Sequence, residues 1–233
     1  MKYIFVHIGK TGGASFREIV NANTNLFRGY RTPVSEVSNI VGLNCNNKDF
    51  NDGQITQIKN ACNKHNGFTA HMQYGLHNYM GDVDHTYLSI IRHPVKRLIS
   101  NYNYGLQQGM KNAVNSKDFL EYAEKYPHGR MINLVNVSGI PYSDDNDVDE
   151  LIETALEHLS QDNYLFGFTS RYNEYLDIVK ENLGWKVNTN HTNKTGTKTN
   201  ITQSQIDAVT ELAAKDVEFH NRALELYKTK YNK

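Results

Sequence analysis

One lysine, two hydroxyl side chains and three glycines are crowded into Gly9-Lys10-Thr11-Gly12-Gly13-Ala14-Ser15. Glycines let backbone N–H groups approach a phosphate closely, Lys10 adds a full positive charge, and Thr11 and Ser15 add donors. Far along the chain, Arg92 precedes Ser100 by eight residues. An arginine fork forms bidentate, charge-assisted bonds to phosphate oxygens, and a nearby hydroxyl can assist it. Between these two groups lies Ala70-His71-Met72-Gln73-Tyr74-Gly75-Leu76-His77. Its two imidazoles have a reference pKa of ~6.5 and suit general-base work near neutral pH. The residue types therefore describe two anion-holding groups and a proton acceptor.

The elements that must position them can be read from the pattern. Tyr3, Ile4, Phe5, Val6 and Ile8 form a short apolar run that fits a buried strand, and Phe16 to Val20 fits the first turns of a helix. A strand, a Gly-rich turn and a helix N-terminus make a ready anion site. The nucleotide P-loop, G-x-x-x-x-G-K-[ST], is the nearest generic pattern, and Gly9-Lys10-Thr11 supplies its last three residues. Ile4 stands where that pattern needs its first glycine, so the loop is too short to wrap a triphosphate. No apolar run ends in an Asp that would hold magnesium. An ordinary NTPase is disfavoured, while a small-molecule kinase with a shortened P-loop and a non-catalytic nucleotide-binding module stay open as alternatives.

Further strands are expected at Gly67–His71, Thr86–Arg92 and Tyr164–Phe168, with Gly29–Asp52 read as a polar connection. Pro94 opens a helix carrying Val95, Leu98, Ile99, Tyr102 and Leu106. Ser116 is expected to cap a helix holding Phe119, and Asp147 to cap another. Thr202–Gln205 has capping-box spacing before a single long C-terminal helix. Strands alternating with helices predict a three-layer, P-loop-like α/β fold with a central, mostly parallel sheet. Ligands in such folds gather at the carboxyl ends of the strands. Lys10, His71 and Arg92 each follow a strand, so the topology predicts that they share one edge, with Ser100 just over one turn into the next helix. Tyr74, Tyr102 and Tyr104 are candidates to line an acceptor cleft, and His7 is expected beneath the loop.

The chain has 233 residues, enough for one α/β domain spanning 1–233, with 25 Lys+Arg balanced by 25 Asp+Glu. That balance gives no global field for nucleic acid or a membrane surface, so any anion site is local. Cys45 and Cys62 have no metal-type spacing and are expected to be free thiols. The residues before the first turn are too short for a signal peptide, and nothing approaches the ~20 apolar residues of a membrane span. A cytoplasmic enzyme is expected; a trimmed Golgi lumenal protein is the alternative.

The two anion motifs together resemble a known family. YIFVHIGKTGGASFREI resembles the 5′-phosphosulfate-binding motif of carbohydrate sulfotransferases, in the group similar to heparan sulfate 2-O- and 6-O-sulfotransferases. YLSIIRHPVKRLISNYNY resembles the 3′-phosphate motif of that family, and AHMQYGLH the stretch bearing its catalytic histidine. LFGFTSRYNEYLDIVKENLGW and AKDVEFHNRALELYKTKY resemble its late strand, helix and last helix. The resemblance implies 3′-phosphoadenosine 5′-phosphosulfate as donor, 3′-phosphoadenosine 5′-phosphate as product, no metal, and a hydroxyl-bearing saccharide or small molecule as acceptor. It implies that Lys10, Thr11, Gly12, Gly13, Ala14 and Ser15 wrap the phosphosulfate, and that Arg92 and Ser100 hold the 3′-phosphate. Lys194 and Thr195 would close over the nucleotide. Lys10 and His71 would be catalytic, with His77, Tyr74 and Tyr102 toward the acceptor. Gly9 stands where the family usually has Pro, and Ala14 where Thr or Ser is commoner.

Overall fold

A computed structural model describes residues 1–28, 52–141, 143, 145, 147–187 and 199–233. Its centre is the first apolar run. Strand β1 (Lys2–Val6) lies between β3 (Gly67–Ala70) and β4 (His85–Ile91), with β2 (Leu26–Arg28) and β5 (Tyr164–Phe168) at the edges. The order is β2-β3-β1-β4-β5 and every pairing is parallel. Ile4 is in register with Phe68 on one side and Tyr87 on the other. Parallel strands covered on both faces need near-continuous apolar sequence. Ile4, Phe5 and Val6 in β1 and all five residues of β5 are accordingly buried.

The helices are α1 (Gly13–Asn23), α2 (Asp52–Lys64), α3 (Pro94–Gln107), α4 (Lys111–Val114), α5 (Phe119–Glu124) and α6 (Pro127–Arg130). They continue as α7 (Ile132–Ser138), α8 (Val148–Ser160), α9 (Tyr172–Leu183), α10 (Gln203–Leu212) and α11 (Ala214–Tyr231). Helices α1 and α9 cover one face, where Phe16 packs between Phe5 at 4.9 Å and Tyr175 at 5.1 Å, centroid to centroid. Tyr87, Tyr164 and Phe166 point to the opposite face, beneath α8 and α11, where Phe166 meets Tyr227 and Tyr231. This is the three-layer α/β arrangement with a central parallel sheet. A second apolar cluster joins Val95, Leu98 and Tyr102 of α3 to Phe119, Tyr122 and Val209.

Several local expectations change. The three-residue strand β2 is too short to leave a periodic signal; the stretch after it, residues 29–51, lies outside the described residues. The long C-terminal helix is two, broken at Ala213. Asp118, not Ser116, caps α5: its carboxylate accepts the Glu121 N–H at 3.0 Å, whereas the Ser116 hydroxyl donates to the Asn112 carbonyl. Asp147 caps α8, and Thr202 with Gln205 forms the full capping box of α10. Cys62 is a buried free thiol, and Cys45 lies outside the described residues.

Candidate active site

The turn after β1 lies over the carboxyl edge of the sheet. Its conformation is set by small residues and internal bonds. The Thr11 hydroxyl donates to the Ile8 carbonyl at 2.8 Å and is fully buried, so its hydroxyl proton is committed to holding the turn. Gly12 precedes α1 at φ 88°, a left-handed conformation that glycine adopts without steric cost, and it has no side chain with which to cap the helix. The first N–H groups of a helix have no helical acceptor. At Gly13 a Cβ would stand 2.1 Å from His7 Cδ2, so only glycine lets the helix start close over the His7 ring. Ala14 and Ser15 complete the first turn of α1, both half-buried.

Because β4 adjoins β1, its last turn brings Arg92 to this loop. Arg92 Nη1 donates to the Lys10 carbonyl at 2.9 Å, and burial lowers the guanidinium pKa. Lys10 has φ 69°, uncommon for a residue with a Cβ. Its ammonium lies 3.9 Å from the centroid of the Tyr104 ring. Burial and the neighbouring Arg92 charge lower the Lys10 pKa. Ser100 is four residues before Tyr104 on α3, so the two share a helix face. Two cations thus stand together at a half-buried edge, an arrangement that favours a bound anion.

His71 follows β3 on the other side of β1. Its Nδ1 lies 2.7 Å from the His7 carbonyl, and its ring stacks on the His7 ring at 4.4 Å. A carbonyl only accepts, so Nδ1 carries the proton and Nε2 carries the lone pair. Although part of His71 is open to solvent, surrounding protein lowers its pKa, the His7 bond opposes this, and the Arg17 charge lowers it further. His71 is thereby neutral at neutral pH. His7 itself is pushed down to about 3 by burial, then by His71 and Arg17. Lys10, Arg92 and His71 are thus brought together around one turn, with Ser100 on the adjoining helix.

Other residues named from sequence are not at this edge. Tyr74 and His77 lie on the opposite face of the sheet around Tyr87. The Tyr87 hydroxyl sits 2.9 Å from His77 Nδ1 and accepts the N–H groups of Gly75 and His77 at 3.2 Å. Tyr87 precedes Arg92 by five residues, about 16 Å along a strand. Burial of Met72, Leu76 and Met80 draws the segment after His71 onto that face. Tyr74 stacks on His158 at 3.7 Å and donates to Gln161 at 3.0 Å. Burial and the charges of His85 and His158 push His77 down to about 4. Tyr102 is buried against Phe119 and Tyr122, so it is core and does not line a cleft. Lys194 and Thr195 lie outside the described residues.

The structure adds residues that sequence reasoning missed. Thr169, after β5, donates to the Thr11 carbonyl at 2.9 Å and lies 3.3 Å from the Ile91 carbonyl. Asn133 donates to the Arg92 carbonyl at 3.0 Å and to Asp216 at 2.8 Å. Asp216 also accepts the Leu134 N–H at 2.9 Å; burial raises its pKa to about 6, against the lowering effects of that bond and of the fully buried Arg97. Asp216 had a visible signal: it interrupts the apolar stripe Val209, Ala213, Phe219, Ala223. Thr169 had none.

A parallel sheet, five-stranded among the described residues, with a cation-rich glycine turn at its central strand defines an α/β protein of the P-loop-like class. The family model described as the sulfotransferase family matches residues 1–221. The chain belongs to that family, and so is a transferase of sulfuryl groups. No curated protein matches the chain.

Proposed function

We propose that the chain transfers the sulfuryl group of 3′-phosphoadenosine 5′-phosphosulfate to a hydroxyl of a saccharide or similar small acceptor. The observation that carries this reading is the contact between Arg92 and the Lys10 carbonyl. It sets a guanidinium suited to one phosphate beside a glycine turn suited to another, as a donor with phosphates at both its 3′ and 5′ positions requires. The donor fits these groups: two cations, a left-handed Gly12 and the start of α1 offer charge and N–H groups to an anion.

The donor supplies a sulfuryl group, whose bond to the 5′-phosphate oxygen breaks as its bond to the acceptor oxygen forms. Lys10 and the first N–H groups of α1 neutralise the charge growing on the phosphate. Arg92 and Ser100 hold the 3′-phosphate. His71 Nε2 takes the acceptor proton, its Nδ1–H held by the His7 carbonyl.

A thermal-shift comparison tests the donor. Stabilisation by 3′-phosphoadenosine 5′-phosphate well above that by adenosine 5′-phosphate, ADP or ATP, and independent of magnesium, is expected. Stabilisation by ATP with magnesium alone would overturn the reading in favour of a kinase.

A further inference from the structure

The two halves of the site are mechanically joined. Lys10 adopts a left-handed conformation that a residue with a Cβ holds only when its surroundings enforce it. Two side chains grip consecutive carbonyls at that point: Arg92 donates to the Lys10 carbonyl at 2.9 Å, and Thr169 donates to the Thr11 carbonyl at 2.9 Å. Thr169 shares its hydrogen with the Ile91 carbonyl, tying the turn to the end of β4 a second time. The side chain of Asn133 fixes the carbonyl of Arg92 in turn. Elsewhere the turn is built largely of glycine, which by itself has little conformational preference.

We propose that Arg92 and Thr169 are positioning residues for the Gly9–Gly13 turn. Through them the end of β4 that takes one phosphate also sets the shape of the loop that takes the other. This rests on the donor reading above. Arg92 then has two duties, one through its remaining N–H groups toward the 3′-phosphate and one through Nη1 toward Lys10. Thr169, which follows the edge strand β5, acts solely through the loop backbone.

Calorimetric titration with two probes separates these duties: 3′-phosphoadenosine 5′-phosphate, and adenosine 5′-phosphate, which lacks the group Arg92 would hold. Arg92→Ala is expected to weaken both, with adenosine 5′-phosphate losing about ten-fold, the scale of one charge-assisted hydrogen bond. Thr169→Val, near-isosteric and uncharged, is expected to weaken both probes by the same factor and to lower kcat with the acceptor KM unchanged. Thr169→Ser is expected to restore both. The proposal is overturned if Arg92→Ala weakens only the 3′-phosphorylated probe, or if Thr169→Val leaves both affinities and kcat unchanged. Wild-type protein that binds both probes equally would instead overturn the donor reading, and adenosine 5′-phosphate would still report on the struts. Wild-type protein that binds neither probe would overturn both.

Discussion

Gly13→Ala tests whether His7 supports the active-site edge. The added Cβ would stand 2.1 Å from His7 Cδ2 and 2.4 Å from Nε2, against the ~3.5–4.0 Å of ordinary contact. The imidazole must therefore shift by roughly 1.5 Å. It has little room, since it lies against Phe5 at 5.4 Å and against His71 at 4.4 Å. Overpacking of this kind costs about 1–3 kcal/mol, partly offset by up to ~1 kcal/mol of helix preference for alanine. A net loss of about 1–2 kcal/mol lowers Tm by roughly 2–8 °C in a chain of this size. The displacement passes to His71, which stacks on the moving ring and bonds to the same residue's carbonyl, so kcat falls as well. The decisive assay is a double-mutant cycle with His7→Ala, read by urea denaturation and turnover. Without the imidazole the clash disappears, so Gly13→Ala should be neutral or stabilising in that background, a coupling of about 2 kcal/mol. Equal cost in both backgrounds would refute the argument.

Lys10→Ala should reduce turnover by ~10²-fold or more, the scale of a lost transition-state donor, as steady-state kinetics would show. His71→Ala should lower kcat by roughly 10²–10⁴-fold while calorimetry shows nucleotide affinity retained. Because its pKa is lowered, the acid limb of kcat/KM in wild-type protein should lie below the ordinary imidazole range, and Arg17→Gln should move it upward. Acid stability follows from His7 at about 3 and His220 at about 4, both held down chiefly by burial. Their folded pKa values lie below the unfolded value of ~6.5, so each contribution is intact above that pH. It is lost as pH falls toward the folded value, by at most about 1.4 kcal/mol per unit for each histidine. Asp216 acts in the opposite sense over its own range, from about 6 down to the ordinary carboxylate value, and denaturation midpoints at pH 7 and pH 5 measure the sum. Asp216→Ala strands the buried Leu134 and Asn133 N–H donors and removes a negative charge that favours buried Arg97, and should cost roughly 2–4 kcal/mol in urea unfolding.

How far residue patterns reach can be judged from particular positions. Lys10, Arg92 and His71 were legible because each follows a strand, and parallel topology sends strand ends to one edge whatever the packing details. The α8 and α10 caps were legible for a related reason: a cap is a bond between residues two or three apart, and such bonds depend on local spacing alone. Tyr74 and His77 were assigned to the wrong place because proximity in sequence to His71 says nothing about direction. Burial of Met72 and Leu76 turns the chain onto the far face within a few residues. Tyr102 went astray similarly, since an aromatic on an amphipathic helix serves a core or a cleft with the same periodicity.

By itself, then, the sequence determined the parallel α/β architecture, the glycine turn with its lysine, and the arginine and histidine that follow two further strands. These follow from apolar runs, turn chemistry and the direction of crossovers, all local or topological. Only the tertiary structure decided that Arg92 grips the Lys10 carbonyl, that Thr169 reaches Thr11 across 158 positions, and that the His7 carbonyl selects the His71 tautomer. Such contacts depend on the distance between folded elements, and no spacing along the chain encodes that distance.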